Sequence, residues 1–64
     1  MKSIVKLKNL RKTRRWTQVE VSRAADIPRP LYALMEQGKL TPTQQNYEAL
    51  ADIYNVSVQY LQKQ

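Results

Sequence analysis

Pro30 and Gly38, the latter the chain's only glycine, bracket the stretch "PLYALMEQG" and restrict what this sequence can fold into. A proline suits the first position of a helix, where its missing amide hydrogen has no partner to lose. A glycine suits the position just past the end, because it enters the left-handed conformation at no steric cost. The Pro30 ring disfavours the α region for Arg29, so the spacing predicts a helix that starts no earlier than Pro30 and runs to about Gln37.

The same punctuation recurs along the chain. Thr17 and Glu20 have the spacing of a capping box, in which each side chain satisfies the other's free amide. This predicts a helix from Thr17 through Val21 and Ala24 to about Ala25. Upstream, Ile4, Leu7, Leu10 and Arg11 share one stripe of a helix from about Ser3 to Thr13, with Lys6, Lys8 and Lys12 off it. Downstream, "KLTPT" breaks the chain and Thr43 or a neighbour caps a fourth helix. Tyr47, Leu50, Ala51 and Tyr54 recur on it at helical spacing, and Asn55 ends it. "VSVQYLQ" supplies a short fifth helix capped by Ser57. No segment alternates over the length of a strand. The expected fold is all-α, five helices in one domain over residues 1–64.

Composition narrows the chemistry. The chain has no cysteine and no histidine, which removes disulfides, thiolate metal sites and the commonest general base. Five carboxylates remain: Glu20, Asp26, Glu36, Glu48 and Asp52. Catalysis is a poor expectation, and no cofactor or metal is expected. No apolar run approaches the ~20 residues of a membrane span, and no secretory signal is recognisable, so a cytoplasmic protein is expected. Eleven basic residues against five acidic ones favour polyanionic partners, nucleic acid before membrane. Lys2, Lys6, Lys8, Arg11, Lys12, Arg14 and Arg15 crowd the first 16 positions with no acid among them. The charge pattern therefore puts the electrostatic footprint at the N-terminal end.

Leu7, Leu10 and Arg11 are followed by Thr17, Gln18 and Glu20, then by Ile27 and Arg29. Glu36, Gly38, Lys39, Pro42, Leu50, Ala51, Val56 and Leu61 complete an ordered set over residues 7–61. In that order, without a gap, the chain resembles the Cro/repressor-type (XRE-type) helix-turn-helix DNA-binding domains of phage and bacterial transcriptional regulators. The resemblance implies a lambda-repressor-like fold with the helix-turn-helix at the second and third helices. The second would cross the edge of the major groove and the third would lie in it. It further implies phosphate contacts from Thr17, Gln18, Lys39, Arg11 and Arg14, with Gln18 beside the free amides of its helix. Arg11 and Glu36 match a family pair joining the first helix to the third, read here as structural. Three positions depart from the family pattern: Ser22 and Asp26 replace the usual Ala and Gly, and Trp16 replaces a small aliphatic. Trp16 is read as a core anchor against the fourth and fifth helices.

Two registers compete for the third helix. Periodicity alone buries Leu31, Leu34 and Met35, whereas the resemblance buries Tyr32 and Met35 and turns Leu34 toward DNA, with Leu31 at the flank. The second is adopted, because Glu36 can then reach Arg11 and Ile27 falls in the core. Its groove-facing set is Arg29, Pro30, Ala33 and Leu34, with Gln37 at the far end. Arg29 suits bidentate contact to guanine, while Pro30, Ala33 and Leu34 offer apolar surface to thymine methyls.

The expected partner is double-stranded DNA, bound by a homodimer on a near-palindromic operator. A chain of 64 residues leaves no room for a ligand-sensing domain, so the expected role is a small repressor. Pairing candidates are Tyr54, Val56, Val58, Tyr60 and Leu61, of which Val56 and Leu61 more often serve the core. A rival reading makes Pro30, Leu31 and Leu34 a docking patch for a second regulatory protein or a polymerase. A weaker one lays the first helix on a membrane surface.

Overall fold

Side-chain caps set the starts of three helices, and left-handed turns close four. The computed structural model describes the backbone over residues 3–62 and side chains over residues 6–62. It is all-helical, with α1 (Ser3–Thr13), α2 (Gln18–Ala25), α3 (Arg29–Glu36), α4 (Gln44–Tyr54) and α5 (Val58–Gln62), and no strand among the described residues. The Thr17 hydroxyl accepts from the Glu20 amide at 3.0 Å and the Glu20 carboxylate accepts from the Thr17 amide at 2.7 Å, the expected capping box. Thr43 and Asn46 repeat the arrangement at the start of α4, at 3.1 and 3.2 Å. The Tyr60 amide donates to the Ser57 hydroxyl at 3.0 Å, capping α5.

The ends of α1 to α4 share one solution. Each closes on a left-handed residue: Arg15 (φ 60°), Asp26 (58°), Gly38 (75°) and Asn55 (57°). Around each runs the same pair of backbone bonds, as in Lys39 to the Leu34 carbonyl at 2.9 Å and Gly38 to the Met35 carbonyl at 3.1 Å. The counterparts are Trp16 to Arg11 and Arg15 to Lys12, Ile27 to Ser22 and Asp26 to Arg23, and Val56 to Ala51 and Asn55 to Asp52. Three of these turns therefore send an apolar residue (Trp16, Ile27 or Val56) back against the core. Asp and Asn tolerate the conformation and Gly is indifferent to it, but an arginine there costs about 1–2 kcal/mol.

The start of α3 differs from the sequence expectation by one residue. Arg29 is already helical and Pro28 is the residue before it. The Pro28 carbonyl accepts from both Leu31 and Tyr32 at 3.0 Å, and these bonds hold Arg29 in a region its following proline only disfavours. Pro30 stands at the second position, where an amide hydrogen would still have no helical partner. Gln37 belongs to the cap rather than the helix.

Leu7, Val21, Ala25, Ile27, Tyr32, Met35, Leu50, Ala51, Tyr54 and Leu61 form the core. α3 rests on α1 and α2, α2 rests on α4, and α5 fills between α1 and α4. Ile4, expected on the buried stripe of α1, lies outside the described side chains. Trp16 is half-buried and stacks on Tyr54 with ring centres 5.8 Å apart, which fits an anchor against α4. Tyr54 itself has no exposed surface, so it is a core residue and leaves the set of pairing candidates. Leu61 is likewise fully enclosed.

Candidate nucleic-acid interface

α3 faces the core with Tyr32, Met35 and Glu36, all buried. At the angular step of a helix, Pro30, Leu34 and Gln37 then lie on the opposite side, with Leu31 and Ala33 on its two flanks. This is the register with Tyr32 inside. The outward side is uneven: Arg29, Pro30, Leu31 and Gln37 are exposed, whereas Ala33 and Leu34 are half-buried. Leu34 presents less surface than expected. Arg29 opens the helix, and its guanidinium has no hydrogen bond or ion pair among the described residues. It stands with Arg23 at the rim of a shallow hollow that Val19 and Pro28 also line.

Behind this face lies a polar network that fixes α3 to three other helices. The Arg11 guanidinium donates two bonds to Glu36, at 2.6 and 3.1 Å, and a third to the Trp16 carbonyl at 3.0 Å. Its side chain is 13% exposed and that of Glu36 is 4% exposed, so the pair is largely removed from water. The Gln18 amide donates to the same carboxylate at 3.0 Å. The Tyr32 and Tyr54 hydroxyls meet at 2.8 Å in the core. Burial pushes the Glu36 carboxyl up, but bonds from Arg11, Gln18 and Tyr32 outweigh it and hold the group below the usual carboxylate range. The Arg11 guanidinium is raised, chiefly by its bond to Glu36. Burial is also the largest cause of the upward shifts at Tyr32 and Tyr54. No buried side-chain nitrogen or oxygen among the described residues lacks a partner.

The expected phosphate-contacting residues divide into two groups. Thr17 and Lys39 are exposed at the start of α2 and just beyond α3. Gln18 gives one amide hydrogen to Glu36 and keeps the second, so Glu36 orients it without using it up. Arg11 is different: three of its five N–H donors bind Glu36 and the Trp16 carbonyl, and its side chain is only 13% exposed. Arg14 donates to the Tyr54 carbonyl at 2.6 Å and to the Leu10 carbonyl at 3.3 Å, and packs over the Trp16 and Tyr54 rings. It ties the end of α1 to the end of α4. Sequence reasoning missed this role because a contact across 40 positions leaves no local signal.

The charge map changes accordingly. The Lys6 ammonium donates to the Tyr60 carbonyl at 2.6 Å and lies 4.4 Å from the Tyr60 ring centre. With Arg11 and Arg14 also engaged inside the fold, the N-terminal cations are not one open patch. Lys8, Lys12 and Arg15 are exposed there, and Arg23, Arg29 and Lys39 are exposed around the helix-turn-helix. Lys2 and Lys63 lie outside the described residues. Among the pairing candidates, Tyr60 is 44% exposed, while Val56 and Val58 are half-buried.

A helix-turn-helix family model matches residues 7–61. No curated protein and no solved structure matches the chain.

Proposed function

This chain belongs to the Cro/XRE-type helix-turn-helix family of DNA-binding regulators, and on that premise we propose that it is a small repressor that occupies operator DNA with α3 in the major groove. The observation that carries the residue assignment is the exposed Arg29, without a hydrogen bond or ion pair among the described residues, at the mouth of a helix whose opposite side is locked into the core. Its fork of donors matches guanine O6 and N7. Pro30, Ala33 and Leu34 add apolar surface for thymine methyls, and Gln37 reaches the far end of the site. Thr17, Gln18 and Lys39 hold phosphates. Specificity is modest, since one side chain reads a base by paired bonds and the rest is shape.

Two copies bind together, at half-sites roughly 34 Å apart. Tyr60 and Val58 on α5 are the pairing residues, because Tyr60 keeps open aromatic surface while Tyr54 and Leu61 are consumed by the core. No helix among the described residues is long and apolar enough to cross a membrane. Burial of Leu7 against the other helices also takes from α1 an apolar residue that a membrane-surface role would need.

Selection of bound duplexes from a random pool tests the reading. A near-palindromic consensus, occupied by two chains per duplex, is expected. Arg29→Ala then loses about 1–3 kcal/mol on that site and relaxes preference at one base pair per half-site. Undiminished binding by Arg29→Ala overturns the base-reading assignment. A second reading is favoured by the 41% exposure of Leu31 beside Pro30: α3 docks a regulatory protein instead. A pool that yields no duplex from the wild-type chain supports that reading and overturns the first.

A further inference from the structure

The turn between α1 and α2 closes on Arg15, in the left-handed conformation at φ 60°. At the three equivalent turns the chain uses Asp26, Gly38 and Asn55, the residue types that enter this conformation most readily. Arg15 has a Cβ, and it lacks the short polar side chain with which Asp and Asn bond their own backbone. The fold supplies no reason for it. The side chain is exposed, and its guanidinium makes no hydrogen bond or ion pair among the described residues. The two arginines before it behave otherwise: Arg11 is spent on Glu36 and Trp16, and Arg14 on Tyr54 and Leu10. One cation of this cluster therefore sits in an unfavourable backbone conformation with no hydrogen bond or ion pair among the described residues in return. Conformations of that kind concentrate at positions whose side chain is used.

We propose that Arg15 is a phosphate-binding residue of the DNA interface, kept at a strained turn position because its guanidinium engages the backbone of the bound duplex. Its place in the chain suits the task, two residues ahead of Thr17, where α2 begins. The ligand is a phosphodiester of double-stranded DNA, which a planar cation with paired donors engages in two parallel bonds. The inference rests on the DNA-binding reading and adds to it a residue that the charge pattern alone does not distinguish from its neighbours. It also makes the fold and the function pull in opposite directions at one position.

Two measurements on Arg15→Gly, Arg15→Asn and Arg15→Lys test this. Thermal unfolding follows the strain, and binding to an arbitrary duplex over a range of salt follows the phosphate contact. Arg15→Gly raises Tm by roughly 4–8 °C, weakens binding to every sequence alike, and reduces the slope of log affinity against log salt by about 0.9. Arg15→Asn moves both readouts the same way, while Arg15→Lys keeps the wild-type slope. If Arg15→Gly is more stable but retains the wild-type slope, the side chain is only solvated and the proposal falls. If its Tm does not rise, the strain premise falls and takes the proposal with it. Failure of the broader DNA reading is distinguishable, because it is seen in the wild-type chain, which then binds no duplex at all.

Discussion

Removing the two core hydroxyls one at a time and then together measures how the buried network holds α3. Tyr32 and Tyr54 have no exposed surface, and their hydroxyls lie 2.8 Å apart. Tyr32 also contributes to stabilising the Glu36 charge, whereas the Tyr54 hydroxyl has no other partner among the described residues. Tyr54→Phe leaves the Tyr32 hydroxyl without the partner it meets at 2.8 Å, so the expected cost is about 1–3 kcal/mol. Tyr32→Phe strands the Tyr54 hydroxyl and also removes the Tyr32 contribution to the Glu36 charge, so its expected cost is about 1.5–3 kcal/mol. The double variant no longer buries an unpaired hydroxyl. It is expected to cost about 1 kcal/mol less than the two single losses added together. A chain of 64 residues has a total stability of about 3–10 kcal/mol, so losses of this size move the unfolding midpoint by a measurable amount. Urea unfolding followed by far-UV circular dichroism gives the three numbers, provided the m-values agree. Additivity within about 0.3 kcal/mol, or a larger loss from Tyr54→Phe than from Tyr32→Phe, refutes the coupling inferred from the geometry.

The same network sets the response to pH. Glu36 titrates below its ordinary value of 4.5, so the stability it contributes is present above that pH and is lost as the solution becomes more acid. Tyr32 and Tyr54 titrate above their ordinary 10.0, so their contribution is complete below pH 10 and is lost as pH rises past it. The alkaline loss is expected to be shallower in Tyr54→Phe than in the wild-type chain, readable as urea midpoints. A stability plateau from pH 10 to 11 contradicts their burial. Gln18→Ala is expected to weaken all duplexes alike, without altering base preference, and to cost about 1 kcal/mol of stability through the donor lost to Glu36. A change in the selected consensus shows instead that Gln18 reads sequence.

Helix existence and most helix ends are local properties, and they are legible in the sequence. Thr17 with Glu20, Gly38, Asn55 and Ser57 each satisfy or close a helix terminus through atoms a few positions away. The Arg11–Glu36 pair and the register with Tyr32 inside were accessible only through the ordered resemblance. Apolar periodicity by itself favours Leu31 and Leu34, because it weighs hydrophobicity and cannot see that a tyrosine hydroxyl will find a partner. Apart from the Arg11–Glu36 pair, the uses of the N-terminal charges were not legible. Lys6, Arg11, Arg14 and Arg15 look alike as residue types, yet the fold gives the first three to Tyr60, Glu36 and Tyr54.

What this sequence determined by itself is therefore where the chain turns helical and where it stops, since capping and left-handed closure are settled by neighbours along the backbone. Only the tertiary structure decided which N-terminal cations are spent inside the fold and how far Leu34 is enclosed. Those outcomes depend on atoms brought together from positions 18 to 54 residues apart, and on the cost of burying a polar group without a mate.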